Sequence, residues 1–195
     1  MARINKVPER EAGPFGCLAY KLSRRRFGKE VEPLTVMAHH PRLLLGYGMF
    51  ELAFERSTLV DERLKSLAVL KAATMVGCEF CIDVGLALGH AEGVTEEQLR
   101  ELPDFEWSEA FSPLEKLVLW CAAAVTKTPA DVPGELFDAL CEHVNEAQLV
   151  ELTPAIALEN YRARFNHAFG IGSQGFSEGS YCAIPEAQAM TTGGE

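Results

Sequence analysis

The sequence predicts an all-α protein, and three observations predict it. Helical signals dominate from His39 onward, successive segments open with N-capping signatures, and no stretch alternates apolar and polar residues with period two. The first 35 residues carry Pro8, Gly13, Pro14, Gly16, Gly28 and Pro33, punctuation too dense for a long element, and read as an extended arm. Pro41 suits the first turn of a helix through LLLGYGMFELAFE, with His39 and His40 before it as capping residues. A second helix opens at Thr58, with Asp61 three residues on as in a capping box, and runs to Val76. Its later half, LAVLKAATMV, is apolar nearly all round, which on a helix means burial on most faces.

Gly77 interrupts that run, and CEFCIDVGLALGHAEG reads as a fresh helix ending at Gly89 or Gly93. Further starts follow at Thr95 with Gln98, at Ser112 with Pro113 and Glu115, near Pro133, and at Asn145 with Gln148. Pro154 falls inside the last long segment, where it deletes one backbone hydrogen bond and bends the helix without ending it. The expectation is roughly eight helices in a single domain: an arm over 1–35, a helical body over 36–172 and a Gly-rich tail over 173–195.

Composition narrows the function. The chain has 195 residues, 18 Lys+Arg against 28 Asp+Glu, a net charge of −10 and 48% apolar residues, enough to bury a core in one domain. Arg24, Arg25 and Arg26 are its one basic cluster, so nucleic acid is not an expected partner. No apolar run is long enough to span a bilayer and the N-terminus lacks the apolar stretch of a signal peptide, which points to the cytoplasm. Six cysteines are too few for a disulfide scaffold there.

Two of the six stand close together. Cys78 and Cys81, at i and i+3 on a helix N-terminus, share one face, can close a tight disulfide, and sit where unpaired amides stabilise a thiolate. Spacing alone leaves three readings: a dithiol redox centre, two small core residues, or half of a zinc site. Zinc needs four ligands, and His90 and Cys182 would have to come from afar. No metal and no cofactor is expected.

The stretch LVDERLKSLAVLKAATMVGCEFCIDVGLALGHAEGVTEEQL, Leu59 to Leu99, and the later segment from Phe111 to Ile171 resemble the carboxymuconolactone decarboxylase and alkyl hydroperoxidase AhpD-like family. The resemblance implies an AhpD-like helical fold and assembly into homodimers, trimers or hexamers. It also implies thiol–disulfide chemistry on hydroperoxides or disulfides, with Cys81 attacking and Cys78 resolving. The reductant there is a lipoyl-carrying protein or another thiol.

The chain departs from that pattern at two positions. Redox members of the family carry a Glu twelve residues before the first cysteine and a His four after the second; here these are Ser66 and Gly85. Neither can relay a proton, so the expected reaction is about 10²-fold slower or worse unless another group substitutes. At about 1.5 Å per residue, Ser66 lies roughly 15 Å behind Gly77 and Gly85 roughly 12 Å ahead of it. A fold-back at Gly77 sets them face to face across a small-residue gap that a side chain, water or a ligand must fill. An aromatic ring there would mean repacking, and an open cleft reaching Cys81 would mean a pocket. Glu62 and His90 are the candidate substitute relays, each also explained by the charge preference of its helix end.

The remaining candidates are weaker. Glu79 and Asp83 flank the cysteines and oppose a thiolate if close. Cys121 and Cys141 fall on apolar helical faces and read as core; Cys17 and Cys182 lie in loop-like segments with roles left open. Arg162, Arg164, Asn166 and His167 form a polar cluster on the last helix, suited to capping, an interface or anion binding. Two rival functions remain: a decarboxylase or lactone-processing enzyme, which would leave the cysteines without a role, and a non-catalytic helical oligomer that kept the scaffold as a binding module.

Overall fold

A computed structural model describes residues 2–177. Among them are nine α-helices, one short 3-10 turn at Glu9–Glu11 and no strand. The helices are α1 (Gly13–Phe27), α2 (Glu32–Met37), α3 (Pro41–Glu55), α4 (Glu62–Val76), α5 (Glu79–Ala91), α6 (Glu96–Glu101), α7 (Pro113–Thr126), α8 (Gly134–Cys141) and α9 (Glu146–Phe169). None is long and apolar enough to cross a membrane.

The arm expected over 1–35 is largely helical, which accounts for the helices beyond the seven placed by capping signatures. Most of its Gly and Pro residues are boundaries: Pro14 stands in the first turn of α1 and Gly28 caps its C-terminus, leaving the 13 residues between them, Gly16 included, free to form helix. Tyr20 anchors α1, fully buried, donating its hydroxyl to the Val7 carbonyl at 2.9 Å. Burial pushes the Tyr20 phenol up to about 12.

α4 is the axis of the core, packed against α5, α7 and α9. Leu67, Ala68, Leu70, Ala72 and Ala73 are completely buried, as its all-round apolar sequence implies. Its start differs from expectation. Asp61, not Thr58, is the N-cap, its Oδ1 accepting from the Arg63 and Leu64 amides at 3.0 and 3.4 Å. Thr58 lies in a turn held from elsewhere: Lys65 Nζ donates to the Ser57 carbonyl and the Leu59 amide to Glu151 Oε2. That leaves Asp61 as the side chain in reach of the orphan amides. The starts at Thr95, Ser112 and Asn145 form reciprocal capping boxes, and His40 Nδ1 accepts from Leu43 N at the head of α3. α9 continues through Pro154 over 24 residues.

Candidate active site

The chain reverses at Gly77, whose φ of 74° lies in the left-handed region that Gly adopts without steric cost. The reversal lays α5 against α4 and makes Cys78 the N-cap of α5. Cys78 Sγ accepts the Cys81 amide at 3.2 Å. Cys78 and Cys81 are joined as a disulfide with Cα atoms 5.2 Å apart, ordinary spacing for such a bond. Cys78 is 2% exposed and Cys81 6%, but Cys81 forms part of the wall of a cleft of about 1090 Å³ between α1, α2, α3, α4, α5 and α9, and Cys78 does not.

Ser66 and Gly85 both line that cleft, as a fold-back at Gly77 requires. The gap between them is partly filled, and not by an aromatic ring. A Cβ at position 85 would lie 2.8 Å from Leu70 Cδ2, so Leu70 takes the volume a side chain there would need. On the other side Ser66 Oγ donates to Glu92 Oε2. Glu92 follows Cys81, Gly85 and Leu88 along the same face of α5 and brings a carboxylate to the position of Ser66. Glu92, which the structure places at the C-cap of α5, is not among the residues singled out from the sequence; the signal available was its spacing of eleven residues, three turns, from Cys81.

The two candidate relays are not brought to the sulfurs. His90 is exposed and lies outside the cleft wall, on the side of α5 opposite the face that Glu92 shares with Cys81. Glu62 lines the cleft but is tied to Lys65 at 2.8 Å. Among the described residues no three His, Cys, Asp or Glu side chains group as metal ligands would. Cys182 lies outside the described residues. Cys121 is buried, and burial raises its thiol; Cys141, expected in the core, is exposed because Leu140 and Val144 are the residues at this end of α8 that enter the core. Cys17 donates to the Glu9 carbonyl on the arm.

The polar cluster read on the last helix is dispersed around its circumference. Arg164 bonds Asn160, and His167 Nε2 lies 3.0 Å from the Val76 carbonyl. Arg162 points into the cleft, where it holds Glu51 with two nitrogens and Glu159 at 3.1 Å, beside the Tyr47 hydroxyl. Burial raises the Glu159 carboxyl and the Tyr47 phenol above their ordinary values; it opposes the charge of Arg162, but Glu51 and Glu159 outweigh it and hold Arg162 charged. Asn166, 2% exposed, reaches the disulfide itself, with Nδ2 3.5 Å from Cys78 Sγ and 3.4 Å from Cys81 Sγ.

Of the two acids beside the cysteines, Asp83 is turned away from them. Its carboxylate accepts from Ser173 Oγ, the Gln174 amide, and the amide and hydroxyl of Ser177, at 2.7–2.9 Å. Burial works to raise it, but the Phe176 and Ser177 amides and the two hydroxyls outweigh burial and hold it at about 2. The start of the expected tail is therefore a strap across α5. Phe176 packs edge-on against Phe80 and Phe27, and Lys29 lies 4.3 Å over its ring.

Residues 40–124, which contain both cysteines, match the carboxymuconolactone decarboxylase family. The uncharacterized protein YnjA of Escherichia coli K12 is 33% identical over 86% of this chain and 90% of its own. The chain belongs to the carboxymuconolactone decarboxylase family. Its fold is shared with an AhpD-core peroxidase-related protein from Ralstonia eutropha JMP134, at a TM-score of 0.80 and 14% identity over 90% of this chain and 94% of that one. The debrominase Bmp8 is similar too, with a TM-score of 0.79 and 18% identity over 89% and 93% of the two chains. Within this family the chain carries the AhpD-like helical fold, with its Cys-x-x-Cys pair at the α4–α5 reversal.

Proposed function

We propose that the protein is a dithiol oxidoreductase that reduces neutral, apolar organic hydroperoxides or disulfides, with Cys81 attacking and Cys78 resolving. The observation that carries this reading is that Cys81, bonded to Cys78, is the cysteine whose atoms form part of the cleft wall. Cys81 thiolate would displace alkoxide from the hydroperoxide to give a sulfenic acid, and a proton would complete the alcohol. Cys78 would then displace water from that sulfenic acid, leaving the disulfide. A dithiol such as a lipoyl group, or another thiol, would restore the pair.

The cleft's charges select the substrate class. Three cations lining it are already paired: Arg26 with Glu55, Lys65 with Glu62 and Glu151, and Arg162 with Glu51 and Glu159. The fourth, Arg25, is exposed on α1. A carboxylated lactone would meet carboxylates with no unpaired cation beside them on the cleft floor, which disfavours decarboxylation. Most of the remaining wall is apolar, with Phe15, Phe27, Phe54, Phe80 and Phe165 contributing rings. These rings support a second reading, reductive dehalogenation of a haloaromatic by the same dithiol, in which two thiols and an aryl bromide give the arene, bromide, a proton and the disulfide. Bmp8, a variant of which has been solved with 2,3,4-tribromopyrrole, is a debrominase.

The proposal includes a cytoplasmic homo-oligomer. Phe15, Leu18 and Leu22 on α1 and Leu43, Met49 and Phe50 on α3 are exposed, an apolar surface suited to a second copy. The activity is tested by titrating thiols before and after cumene hydroperoxide. The expected result is loss of about two thiols per chain, restored by dithiothreitol and absent in Cys81→Ser. No loss at millimolar peroxide would overturn the peroxidase reading, and bromide release from a bromopyrrole with the same thiol loss would establish the second.

A further inference from the structure

Asn166 is the polar side chain in contact with both sulfurs, and its two amide atoms are used unequally. Nδ2 spans Cys78 and Cys81, whereas Oδ1 is buried with no hydrogen-bond partner. A buried acceptor left without a partner is costly and calls for an explanation. The oxidation state supplies one. A disulfide carries no hydrogen, so its sulfurs only accept, and only the N–H side of an amide can serve them. Reduction by a dithiol adds two electrons and, near neutrality, leaves one thiolate and one thiol, the dithiol giving up its second proton to solvent. The pair then offers one acceptor and one donor, which is what an amide presents in return.

We propose that Asn166 is a catalytic residue of the dithiol site that favours its reduced state, its N–H donating to the Cys81 thiolate while its carbonyl oxygen accepts from the Cys78 thiol. The proposal rests on the dithiol reading above and specifies how the thiolate is held without the family's Glu and His. Other ionisable groups on the packed elements are engaged elsewhere. Asp83 is saturated by residues 173–177, Glu79 is exposed to solvent beside Gly172, His167 meets the Val76 carbonyl, Arg162 is paired with Glu51 and Glu159, and Glu92 is held by Ser66. α4 faces the pair with apolar Leu70 and Ala73. Cys78 Sγ has a second donor in the Cys81 amide, but Asn166 is the side chain donating to Cys81 Sγ. Asn166 also lies in the cleft wall, where it would meet a substrate bound at Cys81.

The test uses Asn166→Asp, which keeps the shape and replaces the N–H donor with a carboxylate, and Asn166→Leu, which keeps the volume and removes both hydrogen bonds. Alkylation of Cys81 by iodoacetamide, followed by mass spectrometry across pH in reduced protein, reads the thiolate directly. The midpoint of the rate profile should move up by about one pH unit or more in both variants, with the high-pH plateau retained. The dithiothreitol concentration needed to half-reduce the disulfide should rise about tenfold. An unmoved midpoint in a folded Asn166→Asp or Asn166→Leu protein, with rates lowered equally at every pH, would reduce Asn166 to packing and overturn the proposal. Neither measurement uses a peroxide or a halide, so failure of the substrate reading would leave this result standing, and the converse holds.

Discussion

Leu70 stands where a side chain at position 85 would go, with Cδ2 2.8 Å and Cγ 3.3 Å from the place of the missing Cβ. Leu70 is completely buried, so it has nowhere to retreat. Restoring a histidine by Gly85→His should therefore overpack the α4–α5 contact and cost about 1–3 kcal/mol. Leu70→Ala alone should cost about 2–5 kcal/mol by leaving a cavity. In the double variant the ring fills that cavity, and the combined loss should be smaller than the sum of the two. Urea unfolding of the four proteins checks this, and strict additivity would show that Leu70 is not what excludes the ring.

The Ser66–Glu92 pair makes a different prediction for the second altered position. Ser66→Glu would set two carboxylates together, and one would retain a proton near neutrality. A carboxyl whose value is raised by folding contributes stability at low pH that is lost as pH rises through the raised value. Relative to the parent protein, S66E should lose melting temperature between pH 5 and pH 8, and adding Glu92→Gln should abolish that extra loss. An unchanged pH response in S66E would mean that Glu92 swings clear of position 66.

Much of this arrangement could be read from the chain because local chemistry dictated it. Capping signatures at Thr95, Ser112 and Asn145 placed three helix starts, and Gly77 placed the reversal that turns Cys81 onto the same cleft as Ser66 and Gly85. What escaped was long-range. Pro14 and Gly28 are local signals of a helix start and stop around Gly13–Phe27, but Gly16 between them obscures the helix, whose stabilisation comes from Tyr20 packing against the body. Asn166 lies 85 residues beyond Cys81 and Glu92 at the far end of α5, so only the tertiary fold brings the first to the disulfide and the second to Ser66. Leu70 was legible as core but not as the particular side chain that fills the space beside Gly85.

Asp83 couples the strap at residues 173–177 to the helix bearing the cysteines, and the coupling depends on charge. Its carboxyl falls from an ordinary 3.8 to about 2 on folding, so the stabilisation is present above the unfolded value and lost as pH drops through the folded one. The difference corresponds to about 2 kcal/mol. Amide exchange at Gln174 and Ser177 should accelerate between pH 4 and pH 2 beyond its intrinsic pH dependence, and Asp83→Asn should show that faster exchange already at pH 7. Unchanged protection in the variant would assign the strap's hold to Phe176 and to the hydrogen bonds of Gln174 with Lys29, Glu30 and Glu32.

Lys65 carries the last prediction, since it is 5% exposed and joins three parts of the chain. Its Nζ lies 2.7 Å from the Ser57 carbonyl, 2.8 Å from Glu62 Oε1 and 2.9 Å from Glu151 Oε1. Burial opposes its charge, but Glu62 and Glu151 more than compensate and raise it; Lys65 and the Ser57 and Leu59 groups in turn lower Glu151 against its own burial. Lys65→Met strands the Glu151 carboxylate in the core and should cost about 3–5 kcal/mol. Replacing both members, Lys65→Met with Glu151→Leu, removes the stranded charge and should recover most of that loss. Urea unfolding of the single and double variants decides it: if the double is no more stable than the single, the energy resides in the turn at Ser57 and Leu59 that the ion pair holds, and not in the pairing of charges.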